Sequence, residues 1–193
     1  SRMDAERHIE LAGRYVAPRG DAGLVLTHGV SGSGKSHCAR RLATLSGFIH
    51  LRSDIERRRL AGLALDARSN SAPDSGLYSA DMTRATYERL LAVARVALTA
   101  GYSVVVDATF MTVSERSPFI ELAAQLHTPL HILACHAPEH ELRRRINERA
   151  ALGSDASEAT VAVLERQLRQ VQAPHAREGA RVLDSEDFDW SAE

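Results

Sequence analysis

Apolar and polar positions along the chain switch repeatedly between a strand-like run and a helical period. Leu24–His28 is a short apolar run that ends in a glycine-rich turn, which predicts a buried strand, and residues 35–45 then take up helical spacing. Residues 48–51 predict a second strand and 54–63 a helix. Residues 80–100 form a long Ala/Leu/Arg helix pattern stopped by Gly101, followed by a strand at 104–106, a helix at 114–126 and a strand at Leu130–Ala134. Two further helices are expected at 138–151 and 157–171, with a last short strand at 181–183. Strands alternating with helices predict an α/β fold whose parallel sheet is covered on both faces.

Two stretches fall outside this rhythm. Ile9, Leu11, Ala12 and Tyr15 give residues 4–15 helical spacing, which breaks at Ala17-Pro18-Arg19-Gly20-Asp21. Residues 1–20 are therefore expected to be a helix and linker, the tail of a preceding domain, with the main domain spanning 21–193. Residues 64–78 are polar and too long for a bare connector, which predicts a binding segment.

Composition narrows the class. At 193 residues, 44% hydrophobic and 25% charged, the chain is a globular domain, neither disordered nor fibrous. No apolar run approaches the roughly 18 residues that span a bilayer, so no membrane role is expected. A net charge of -1 argues against global attraction to nucleic acid. Two cysteines, Cys38 and Cys135, make no disulfide framework, and a reducing cytoplasm is the expected compartment. Against 23 arginines there is a single lysine, Lys35. A compact ammonium does what a planar guanidinium does not, and its position is informative.

Lys35 closes Gly29-Val30-Ser31-Gly32-Ser33-Gly34-Lys35-Ser36, which satisfies G-x-x-x-x-G-K followed by Ser, between a predicted strand and a predicted helix. Glycines let backbone N–H groups turn inward, and the helix N-terminus adds its positive dipole end. Gly29, Ser31, Gly32, Ser33, Gly34, Lys35, Ser36 and His37 are the expected ATP-binding residues. The Lys35 ammonium reaches toward the β- and γ-phosphates, and the Ser36 hydroxyl enters a Mg²⁺ shell.

In an open parallel sheet, ligands bind beyond the carboxyl ends of the strands. Asp54 follows the second strand, placed to take the proton of an attacking hydroxyl, and Arg57 lies one turn on, placed to hold the acceptor. The plain alternative is a helix cap with a solvated arginine run at 57–59. Asp107 ends the third strand and is expected on the Mg²⁺ side, with a turn-forming role as its alternative. Thr109 and Arg116 are candidate acceptor contacts. Arg145 and Arg149, four residues apart on one helix face, predict a lid over about 141–160 that neutralises the transferring phosphoryl group, the alternative being a solvated basic helix. Residues 153–157 look like its hinge.

The chain resembles the P-loop kinases that group with zeta toxins, gluconate kinases and polynucleotide kinases. The segments that carry the resemblance are GVSGSGKS at 29–36, HLRSDIERRRL at 50–60, VVVDATF at 104–110, RRRINERA at 143–150, DASEA at 155–159 and LERQL at 164–168. More narrowly it looks like the ATP-binding domain fused behind an aminoglycoside-phosphotransferase-like domain in bifunctional bacterial proteins. The resemblance implies a three-layer αβα sandwich with sheet order 2-3-1-4-5, ATP with Mg²⁺, and γ-phosphate transfer to a small-molecule hydroxyl. It also implies Asp54 as acceptor base, Arg57 as acceptor-binding arginine, Asp107 as magnesium-side carboxylate, and Arg145 and Arg149 in the lid. Two rivals stay open: a 5′-hydroxyl polynucleotide kinase, which needs a basic channel with stacking aromatics, and an ATP-binding regulatory module, which has no need of Asp54.

Overall fold

Branched and leucine side chains that alternate in direction build the sheet. The computed structural model describes residues 22–64, 76–152 and 160–185. The helix and linker expected at 1–20, residues 65–75 of the polar loop, the hinge at 153–157 and residues 186–193 lie outside the described residues. Strands β1 (Leu24–His28), β2 (Ile49–Arg52), β3 (Val104–Asp107), β4 (Leu130–Ala134) and β5 (Arg181–Asp184) pair in parallel in the order β2-β3-β1-β4-β5. This is the predicted 2-3-1-4-5 order.

Successive residues of a strand face opposite sides, and the two sides form separate cores. Leu24, Leu26, Val104, Val106 and Ile132 face one cluster, with Leu90 and Ala94 of α3 (Ala80–Thr99) and Phe119 and Leu122 of α4 (Val113–Gln125). Val25, Val105 and Leu133 face the other, with Cys38, Ala39 and Leu42 of α1 (Lys35–Ser46). Each fully buried aliphatic side chain contributes about 1.5–3 kcal/mol, so both faces of the central strands are committed to packing. A third cluster joins Val30, in the loop after β1, and Met111 to Leu142 and Ile146 of α5 (Glu139–Leu152) and Leu164 of α6 (Val161–Gln170). That cluster seats the predicted lid on the sheet.

Helix boundaries differ from the sequence reading by one to four residues, and two of them have a clear local reason. Helix α2 (Ser53–Leu60) stops three residues short of 63 because Gly62 adopts a φ of 67°. There Leu63 N–H donates to Arg58 O at 3.0 Å and Gly62 N–H to Arg59 O at 3.1 Å, a Schellman ending that glycine makes cheap. Helix α4 begins at Val113 because Thr112 and Glu115 form a reciprocal capping box. Among the described residues no helix is long and apolar enough to cross a membrane.

Candidate active site

The strand order places the carboxyl ends of β1, β2 and β3 side by side, and β2 and β3 end in register at Arg52 and Asp107. Above them opens a cleft of about 1230 Å³, walled by the glycine loop, α2, α3, the segment after β3, α5 and α6.

The glycine loop packs where side chains do not fit. A Cβ on Gly29 would lie 2.4 Å from Cys135 O, and one on Gly32 would lie 2.9 Å from Leu142 O. Gly34 enters α1 with a φ of 99°, and no side chain caps that helix start. The first-turn N–H groups of α1 therefore face the cleft with their dipole, an arrangement that fits phosphate oxygens. Lys35 is buried behind them, its Nζ donating to Val30 O at 2.8 Å. Burial pushes its pKa below the ordinary lysine value, opposed by the charges of Asp107 and Asp54. A desolvated cation of this kind is suited to a polyanion.

Asp107, also buried, accepts from His50 Nε2 at 3.1 Å and lies 3.7 Å from Arg52 Nε. Burial raises its pKa, but hydrogen bonds from His50 and the Ser36 hydroxyl, with the Lys35 charge, outweigh that and hold it below the usual carboxylate value. Ser36 and Asp107 thus form a pair of hard oxygen donors next to Lys35, which fits Mg²⁺.

Across the cleft, Asp54 sits in the first turn of α2 and accepts from Arg57 Nη1 at 3.3 Å. The Arg57 guanidinium lies 5.2 Å from the Tyr78 ring centroid and is buried, with its Nε lacking a hydrogen-bond partner among the described residues. Of the arginine run at 57–59, only Arg59 is the solvated side chain considered from sequence. Arg57 and Arg58 are buried, and Arg59 pairs with the buried Glu56, which also receives Arg89 Nε at 3.4 Å.

Thr109 lines the cleft, its Oγ1 3.3 Å from the Tyr87 hydroxyl, and its carbonyl accepts from Gly29 N–H at 3.2 Å. The next residue, Phe110, has a φ of 45°, a strained value for an aromatic residue. Tyr87 Oη accepts from Phe110 N–H at 3.1 Å, and the Phe110 ring stacks edge-on against Tyr87 and Phe119.

Arg116 is a candidate acceptor contact that the fold takes out of the cleft. Its side chain is 0% exposed; it donates to both carboxylate oxygens of Glu178 at 2.7 and 2.8 Å, to Phe110 O at 2.8 Å and to Gln172 O at 3.1 Å. Four of its five N–H donors hold the strained Phe110 turn and the segment before β5, and its complete burial away from the cleft corrects the expectation that it contacts an acceptor.

In the lid, Arg145 Nη1 donates to Gly32 O at 3.1 Å while its Nε bonds Glu141 at 2.7 Å. Arg149 lines the cleft close enough to depress the Lys35 pKa by its charge. Arg143 and Arg144 lie on the outer face, tied to Glu139, Glu165, Glu141 and Glu148. The cleft also collects Ser31, Gly32, Gly34, Ser36 and His37, as expected, whereas Gly29 and Ser33 support the loop from behind. Sequence reasoning missed Tyr78, Glu88, Arg166 and Gln167, all on the cleft wall, and the His50 contact to Asp107. Arg166 and Gln167 lie within the LERQL segment, whose spacing with Val163 and Gln170 marks one helix face.

The glycine loop, lysine, uncapped helix and strand-end aspartate on a 2-3-1-4-5 sheet define a P-loop nucleotide-binding α/β protein. The match to the AAA domain family spans residues 24–174, and the chain belongs to that family. Uncharacterized proteins of Mycobacterium tuberculosis and Mycobacterium bovis are 34% identical over 161 residues, 83% of this chain. The chain spans about a third (32%) of the length of these relatives. A Chloroflexus aurantiacus structure shares 21% identity and a TM-score of 0.66, covering 89% of this chain and 94% of that one. The APS kinase of Mycobacterium tuberculosis, solved with AMPPNP and APS, has 21% identity and a TM-score of 0.59, covering 89% and 92%. A gluconokinase of Sinorhizobium meliloti has 22% identity and a TM-score of 0.54, covering 88% and 86%. These likenesses show the fold.

Proposed function

We propose that this chain is an ATP-dependent phosphotransferase that moves the γ-phosphoryl group to a hydroxyl of a small molecule. The observation that carries the reading is the position of Asp54 on the wall facing Lys35, Ser36 and Asp107 across one continuous cleft. A nucleotide-binding switch needs the second set and has no use for the first.

The loop from Gly29 to His37 would hold the triphosphate, with Lys35 toward its terminal groups, and Ser36 and Asp107 would hold Mg²⁺. Bound there, the nucleotide supplies the activated phosphoryl group and the metal neutralises its charge. Arg57 fixes Asp54 through the 3.3 Å contact and, with Thr109, orients the acceptor. Asp54 accepts the proton of the attacking hydroxyl. Arg145 and Arg149 close the charge balance from the lid, and α5 and α6 shield the reaction from water.

A small acceptor is favoured over a nucleic acid. On the acceptor side Leu91, Met111 and Pro118 stand with the carboxylates of Glu88 and Glu115 beside Arg57 and Arg84, a mixed surface rather than a continuous basic channel. The greater length of the mycobacterial relatives supports the likeness to one domain of a bifunctional protein, and a fused partner domain that helps define the acceptor belongs to this proposal. The cytoplasm, where ATP is made and thiols stay reduced, is its compartment.

The test is a screen of labelled ATP against sugars, nucleosides, aminoglycosides and 5′-hydroxyl oligonucleotides. Transfer to a small alcohol that vanishes in Asp54→Ala is the expected result. Transfer to the oligonucleotide alone favours the polynucleotide reading, and hydrolysis without any transfer, unaffected by Asp54→Ala, refutes the kinase assignment.

A further inference from the structure

One hydrogen bond in the phosphate cradle has no part in the reaction as proposed. The backbone N–H of Ser31, third residue of the glycine loop, donates to Oε1 of Gln167 at 2.7 Å. Gln167 belongs to α6, 136 positions along the chain, and lines the same cleft as Lys35, Arg145 and Arg149.

An inward-turned N–H of a glycine loop is a donor for an anionic oxygen. In this protein a neutral amide oxygen takes that donor. The contact is built rather than incidental. Leu164, one helical turn before Gln167, is fully buried in the cluster that contains Val30, the residue next to Ser31. The same apolar seat that docks α6 therefore sets Gln167 in register with Ser31. Beyond the helix, Gln172 N–H donates to Met111 O at 2.8 Å, and Val113 N–H donates to Gln172 Oε1 at 2.9 Å. Helix α6 is held at both ends, and its side chain reaches the loop from a fixed platform.

We propose that Gln167 is a positioning residue that competes with phosphate for the Ser31 N–H. It satisfies the donor when no nucleotide is bound, which spares the loop a buried unpaired N–H, and it yields the donor when a phosphate oxygen takes its place. The exchange links the docking of α6 to nucleotide occupancy and lowers nucleotide affinity by about the worth of one hydrogen bond. This inference rests on the reading of the loop as a nucleotide site.

The competition has a sign that a merely structural tie lacks. Removing the acceptor oxygen frees Ser31, so Gln167→Ala should bind ADP and a non-hydrolysable ATP analogue with Mg²⁺ about three- to tenfold more tightly by calorimetry. Gln167→Asn keeps the amide but shortens its reach and should follow Ala. Gln167→Glu places a carboxylate on Ser31 N–H, a stronger acceptor that also repels phosphate, and should bind at least threefold more weakly. In the nucleotide-free protein, hydrogen exchange of the 29–36 peptide should speed up in the Ala variant and slow down in the Glu variant. An Ala variant that binds nucleotide as the wild type does, or more weakly, overturns the competition. Wild-type protein that binds no nucleotide, or binding that survives Lys35→Ala undiminished, overturns the nucleotide site itself, which is a separate failure.

Discussion

The two walls of the cleft are made by different means. The phosphate wall is backbone: a loop that tolerates no Cβ at Gly29 or Gly32, an uncapped helix start, and one lysine and one aspartate buried where the strands end. The acceptor wall is side chains on helices: Asp54 and Arg57 on α2, Tyr87 and Glu88 on α3, with Tyr78 ahead of them. Backbone geometry leaves little to vary, so the first wall suits the part of the reaction common to any triphosphate. Side chains at helical spacing can change one at a time without disturbing the fold, so the second suits a particular acceptor.

The largest effect should come from the phosphate wall. Lys35→Ala should lower kcat/KM by on the order of 10⁴, since both binding and charge stabilisation are lost. Loss of calorimetric nucleotide binding should accompany it. Asp54→Ala should lower transfer by on the order of 10³ while leaving nucleotide affinity within a few-fold. Equal loss of nucleotide binding in the two variants would erase the distinction between the walls.

Arg116 breaks the comparison in another way, because it serves the strained turn between the walls. Arg116→Met strands the largely buried Glu178 carboxylate and two carbonyls, and should cost about 3–5 kcal/mol in denaturant unfolding. A variant of unchanged stability with a raised acceptor KM would restore the acceptor-contact role that the geometry removes.

The smallest effect is in the acid limb of stability. The Arg116 guanidinium holds Glu178 below its ordinary 4.5, so the unfolded chain keeps a proton that the folded protein releases. The stability this contributes is complete above about 4.5 and is lost as the pH falls through the lower folded value. Arg116→Met should therefore show a shallower loss of stability below pH 4.5 than the wild type, read by urea titrations at a series of pH values. An unchanged slope would show that the pair does not govern the acid limb.

Much of this was legible beforehand. Strand β1 and the loop after it announce themselves because an apolar run, glycines and a lysine occupy consecutive positions, and the physics of the phosphate wall is local. The end of α2 was misread: Gly62 carries the stop signal, but the apolar Leu63 beyond it extends the helical reading. The side-chain wall was only half visible. Asp54 and Arg57 lie three apart and can be paired on paper, whereas Tyr78, Glu88 and Gln167 reach the cleft from helices and turns far along the chain.

The sequence by itself determined the class of fold and the place of the phosphate loop, because hydrophobic period and backbone-permissive residues act over neighbouring positions, whereas the strand order came only from the family resemblance. Only the tertiary structure decided which arginines face the cleft. Arg57, Arg116 and Arg145 are the same residue type on three helices, yet one stacks beside the aspartate, one is consumed in the core and one leans on the glycine loop. A guanidinium on a long stem finds its role from the carboxylates and carbonyls that packing brings within reach, and those partners are set by the fold rather than by adjacency in the chain.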